Sequence, residues 1–192
     1  MRGLILGVVG ILSPLSFGQS PGNDIRYYAY GNLSHNLQIF ASSESRTGGG
    51  FGFAVGRMDP KLKIRHEKEG ELIYEVYYSE TNTKNTTVQF PYETCKAFGL
   101  LATARYRWKG GPGFNFFGDL GFGVQFIDHP TRDLPLCNNF TLEGGTGIEF
   151  KSGEKSSYLL GARLMHQSNA GRKRPNFGQN LLQWYVGFSV KR

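Results

Sequence analysis

From Tyr158 to Gly171 the chain reads YLLGARLMHQSNAG, and the parity of this stretch decides the fold. Tyr158, Leu160, Ala162 and Leu164 hold alternate positions, against Leu159, Gly161, Arg163 and Met165. A period of two belongs to an extended strand, whose successive side chains point to opposite faces. The apolar parity runs on into His166 and Ser168. A base and a hydroxyl therefore stand on one face, at the end of an apolar stripe, in the segment from Gly161 to Gly171.

The same alternation spreads in both directions. Leu182, Trp184, Val186, Phe188 and Val190 alternate with Gln183, Tyr185, Gly187 and Ser189. Phe140, Leu142, Ile148 and Phe150 stand against Thr141, Glu143, Gly145 and Glu149, and Phe116, Leu120, Phe122 and Val124 against Asn115, Asp119, Gly121 and Gln125. Phe98 to Trp108 repeats the pattern with Thr103, Arg105 and Arg107 on the polar side. Weaker alternation over Asn36 to Glu44, Gly50 to Met58 and Gly70 to Glu80 brings the count to about eight strands, the smallest common size for a transmembrane barrel.

A soluble sandwich would turn the apolar face inward, whereas a membrane barrel turns it to lipid and fills the lumen with the polar face. Glu143, Glu149, Arg105, Arg107, Arg163 and Asp119 would then pair inside, as buried charges must. Connection lengths favour the barrel. Lys109–Gly113 and Lys151–Lys155 are tight, while Thr81–Ala97, Ile127–Asn138 and Asn169–Gln179 are long, the usual asymmetry between the two sides of an outer membrane. The stretch Asp59 to Glu69 is long for a short-turn side, and the first outer loop is short. Tyr106, Trp108 and Trp184 suit the aromatic girdles at the membrane interfaces.

Composition agrees. The chain opens MRGLILGVVGILSPLSFGQS, a basic residue, an apolar run and small residues, which reads as a signal peptide over residues 1–18. Residues 19–192 then form the barrel. Mean hydropathy is -0.36, yet the chain holds 27 Gly, 15 Phe and 10 Tyr, as short aromatic-rich strands require. A net charge of +7 suits an anionic partner, and in an exported chain lipid phosphates fit better than nucleic acid. Cys95 and Cys137, both in outer loops on this count, are expected to form a disulfide. No metal is expected: there is no CxxC, and His35, His66 and His129 stand without partnered context.

The run His166-Gln-Ser168-Asn169-Ala170-Gly171, followed by Pro175-Asn176 and Gly178, resembles the lipid A 3-O-deacylase family of outer-membrane barrels. The resemblance covers residues 161 to 188 by motif, and the upstream chain by barrel pattern and length. It implies an eight-stranded antiparallel barrel of the Gram-negative outer membrane that hydrolyses an ester of lipid A, without a cofactor, at a site on the lipid-facing wall. Its partner would be lipid A or lipopolysaccharide in the outer leaflet, with a homodimer allowed. Ser168 would be the nucleophile, His166 its general base, and Asn169 with the Gly171 backbone N–H the oxyanion hole.

The family's third member of the triad, a Glu, is replaced here by Asn180. Parity puts Asn180 on the same face as Leu182 and Trp184, so it shares the lipid side with Ser168. An Asn can hold the imidazole tautomer but cannot stabilise imidazolium by charge. This implies either a slower enzyme or a carboxylate brought by a loop, and Glu143 points into the lumen. Arg172, Lys173 and Arg174 follow the site and suit lipid phosphates. Two other classes compete: a non-catalytic barrel of the same ancestry, structural or lipid-binding, and a soluble β-sandwich hydrolase.

Overall fold

The computed structural model describes residues 25–40, 42–64, 68–84 and 86–192. The signal-peptide segment and His66 lie outside the described residues. The strands are β1 (Ile25–Asn36), β2 (Arg46–Ile64), β3 (Lys68–Thr83), β4 (Thr94–Gly111), β5 (Phe114–Ile127), β6 (Asn138–Lys151), β7 (Ser156–Ser168) and β8 (Gln179–Lys191). Each pairs antiparallel with the next, and β8 pairs back to β1, closing an eight-stranded barrel. Closure removes the exposed edges that an open sheet would present.

Two expectations need correction. Asn36 to Glu44 is no strand: β1 lies earlier, over Ile25–Asn36. Tyr28, Asn32 and Ser34 point inward there, while Tyr27 and Leu33 point outward. Beyond it Phe40 has φ 51°, a left-handed conformation that an extended strand cannot contain. The long connection after Asp59 is mostly strand, because β2 runs to Ile64 and β3 starts at Lys68, with a register shift between Asp59 and Ile64. The short-turn side is therefore uniformly short, with 112–113 and 152–155 as its other turns.

The outward face is apolar. Leu33, Leu120, Phe122 and Val186 are 74%, 65%, 70% and 63% exposed, far more than water-facing strands tolerate and as expected against acyl chains. Trp108 and Trp184 also face outward.

The interior is a packed ionic lattice. Arg163 reaches Glu75 at 2.9 Å, Glu143 at 3.2 Å and the Gln183 carbonyl at 2.7 Å. Arg105 grips Asp119 at 2.7 Å and lies 4.1 Å above the Phe117 ring. Arg107 joins Glu71 at 2.6 Å and Glu149 at 2.5 Å, and Arg26 also meets Glu149. The six charges assigned to the lumen from sequence are all there, joined by Glu71, Glu75 and Arg26. With these groups sits an apolar layer of Phe117, Leu159 and Tyr185.

The expected disulfide is absent. Cys95 is a buried free thiol and Cys137 an exposed one. Strand β5 intervenes: Ile127 pairs with Ala97 on one side and bonds the Cys137 carbonyl on the other. Two strand spacings separate the two backbones by about 10 Å, beyond the roughly 7 Å Cα limit for a bridge.

Removing one partner of a buried ion cluster leaves the others uncompensated. Arg163→Met, which strands Glu75 and Glu143, is expected to cost about 3–5 kcal/mol. The temperature at which heat-modifiable gel migration is lost should fall accordingly.

Candidate active site

His166 lies near the long-loop end of β7, between Leu142 of β6 and Asn180 of β8 in the ladder. Ser168 ends β7 opposite Phe140. His166 Nδ1 is 2.8 Å from Asn180 Oδ1. The Asn180 amide is oriented by a second bond, since its Nδ2 donates to the Ile39 carbonyl at 2.8 Å. An amide oxygen only accepts, so Nδ1 carries the proton and Nε2 keeps its lone pair. That is the tautomer of a general base.

Asn180 is on the lipid-facing parity and yet only 1% exposed. The loop 37–45 folds over it: Leu37 N–H donates to its carbonyl at 2.7 Å, and its own N–H donates to Asn36 Oδ1 at 2.9 Å. On the other side stands Gly178, with φ +71°. A Cβ there would lie 2.8 Å from His166 Cε1 and 3.5 Å from Nε2, so the imidazole occupies the space any side chain would need. Among the described residues no hydrogen bond joins His166 to Ser168. Neighbours two apart on a strand face are spaced by about 6.6 Å, and such catalytic contacts often tighten only around substrate.

The long loops are tied together beside this pair. Asp133, fully buried in loop 128–137, accepts from Ser42 Oγ at 2.7 Å, from Ser43 N–H and from Glu44 N–H at 3.0 Å. Ser42 Oγ in turn accepts from Asn36 Nδ2 at 2.8 Å, and the Asp133 carbonyl accepts from Gly178 N–H at 3.1 Å. Glu44 pairs with Arg46 at 3.0 Å. Burial would raise the Glu44 carboxyl, but the hydrogen bond and charge of Arg46 outweigh it and hold it below the usual carboxylate range. Asp133 is a loop carboxylate that reaches the seat of Asn180 through Ser42 and Asn36; among the described residues no carboxylate bonds the His166 imidazole.

The remaining site candidates divide. Asn169 is fully buried; its Nδ2 donates to the Lys173 carbonyl at 2.9 Å and its N–H to Asn176 Oδ1 at 3.2 Å. Its side chain shapes the loop 169–178 rather than standing free. Ala170 and Gly171 follow with φ 53° and 77°, in a turn closed by Arg172 N–H on the Asn169 carbonyl at 3.2 Å. The N–H groups of Ala170 and Gly171 find no acceptor among the described residues, so they are the corner's available donors. Arg172 folds back, its Nε on the Asn169 carbonyl at 2.9 Å, its terminal nitrogen on the Asn138 carbonyl, and its guanidinium 5.1 Å above the Phe140 ring. Lys173 and Arg174 stay exposed. With Arg132, Tyr92 and Phe177 they line an open groove of about 820 Å³.

A family model described as "Lipid A 3-O-deacylase (PagL)" matches residues 32–189. A search of curated protein sequences finds no match. Among solved structures, the outer membrane enzyme PagL is similar with a TM-score of 0.54 at 17% identity, covering 85% of this chain and 98% of that one. Neisserial surface protein A has a TM-score of 0.59 at 12% identity, covering 88% and 97%. At these identities the structures speak for the fold, which is that of Gram-negative outer-membrane barrels.

Gly178→Ala is expected to push the imidazole away from Asn180 without unfolding the barrel. The His166 ring resonances should then shift in NMR spectra while heat-modifiable migration stays as in the parent.

Proposed function

This chain belongs to the lipid A 3-O-deacylase family, and we propose that it hydrolyses the 3-O-linked hydroxyacyl ester of lipid A by a Ser–His mechanism. The observation that carries this reading is the His166–Asn180 pair at 2.8 Å, set on the same outward face as Ser168. Exposed Leu142 and Phe140 lie beside it on β6. An acyl chain lying along that wall reaches the hydroxyl without leaving the bilayer, and the scissile ester sits where the apolar band gives way to polar loops.

In this reading Ser168 Oγ attacks the ester carbonyl carbon while His166 Nε2 takes the hydroxyl proton. The carbonyl oxygen becomes an oxyanion, received by the N–H groups of Ala170 and Gly171. As the intermediate collapses, the bond from the acyl carbon to the 3-oxygen breaks and His166 returns the proton to that oxygen. Water, deprotonated by the same imidazole, then cleaves the acyl-serine and releases a hydroxy fatty acid. Asn180 keeps Nδ1 protonated throughout but adds no charge, so imidazolium is less stabilised than beside a carboxylate. Lys173 and Arg174, with Arg132 across the groove, are placed for the phosphates of the glucosamine headgroup.

Two experiments test this. Mass spectrometry of lipid A from cells expressing the parent should show loss of one hydroxyacyl chain, and Ser168→Ala should lower the rate at least about 10³-fold. Unchanged lipid A beside a well-folded parent would instead favour a non-catalytic barrel of the family. Joint substitution of Lys173 and Arg174 by Ala should raise KM for bisphosphorylated lipid A with kcat little altered, the signature of lost uniform binding. A fall in kcat alone would remove these residues from headgroup recognition.

A further inference from the structure

The buried free thiol of Cys95 has no part in the proposed ester hydrolysis. It stands at the start of β4, beside Lys96, whose charged side chain faces outward and so marks the upper limit of the lipid band. Its neighbours are the first residues of loop 128–137. Among the described residues, Cys95, Asp128 and His129 each offer a ligating atom within 4.8 Å of the others'.

We propose that Cys95, Asp128 and His129 form a zinc site at the root of loop 128–137. The three donors are a sulfur, a carboxylate oxygen and an imidazole nitrogen, a set that suits Zn²⁺ with water completing a tetrahedron. Their positions are fixed from outside the cluster. Asp128 N–H donates to the Lys96 carbonyl at 3.0 Å, and Lys96 N–H donates to the Asp128 carboxylate at 3.0 Å. The His129 ring packs tilted against Tyr92, with centroids 4.4 Å apart.

A second observation points to a ligand here. His129 Nδ1 lies 2.9 Å from the Asp128 carboxylate, while Nε2 is buried and has no hydrogen-bond partner. Buried polar atoms are nearly always satisfied, so this orphan calls for a partner. A cation bound through Nε2 would give that nitrogen its partner, while Nδ1 keeps its contact with Asp128. Asp128, 43% exposed in its side chain, leaves a path for the ion to enter. Cys95 would bind the ion as its thiolate, releasing the thiol proton to solvent. The ion would clamp β4 to the loop that carries Asp133.

The test uses the whole chain, folded in detergent, stripped with chelator under reducing conditions and titrated with Co²⁺. One equivalent should bind with an intense thiolate-to-cobalt charge-transfer band, which Zn²⁺ then abolishes. Cys95→Ser should lose the band, Cys137→Ser should keep it, and His129→Ala should weaken binding at least about tenfold. Heat-modifiable gel migration confirms that each variant is folded. Absence of the band in a parent whose Cys95 is reduced would overturn the site. So would dependence on Cys137 instead, or unchanged affinity in both His129→Ala and Asp128→Ala.

Discussion

The register of β7 against β8 sets His166 directly opposite Asn180, and the chemistry proposed for this barrel depends on that pairing. In a strand, a slip of one residue would turn every side chain to the other face. Met165 and Gln167 would then face lipid, and His166 and Ser168 would enter the lumen. The slip is forbidden from the inside. Arg163 and Gln183, opposite each other in the same ladder, are joined by a hydrogen bond at 2.7 Å, and Arg163 also holds Glu75 and Glu143. Buried charges in a small lumen cannot be exposed to acyl chains without a cost of several kcal/mol. The ionic lattice inside thus fixes the arrangement of neutral polar groups outside.

Loops complete what the register begins. Asn180 would face lipid as an unsatisfied amide were it not covered by the loop 37–45, whose Ile39 carbonyl takes its Nδ2 hydrogen. Ser42 and Glu44 of that connection are held by Asp133, a carboxylate from a loop distant in sequence. The same residue's carbonyl takes the N–H of Gly178, which presses against the imidazole. Asn36, Ser42, Asp133 and Asn180 are each hydrogen-bonded there, because a bare donor or acceptor beside hydrocarbon is so expensive. Precision at the site comes from that requirement more than from the strength of any single bond.

The family resemblance implies a carboxylate where this chain has Asn180, and in the proposed mechanism that difference decides which property of a triad would survive. Orientation and tautomer would be retained, since an amide oxygen also accepts from Nδ1, though more weakly than a carboxylate. Charge is not, and Asp133 is too far along its chain of hydrogen bonds to restore it. The arrangement therefore relies on geometry and on the turn at Ala170 and Gly171, whose left-handed residues turn their N–H groups away from the strand ladder.

Much of this was legible in the sequence. Parity alone placed Leu160, His166, Ser168 and Asn180 on one face, and the charged lumen residues on the other, because a strand's period of two has no exceptions within a regular ladder. The strand count and the long-loop side came from the same rule. Where alternation was weak, as in Tyr27 to Ser34 with aromatic and polar residues on both faces, β1 was displaced into what is in fact a loop. Only the closed barrel decided the rest. Cys95 and Cys137 lie in neighbouring loops by count, yet a whole strand separates them. Ile39, Ser42 and Asp133 carry no local signal, because the contacts that give them meaning cross up to 141 residues of sequence. A periodic pattern fixes which face a residue takes; only closure in three dimensions fixes what it meets there.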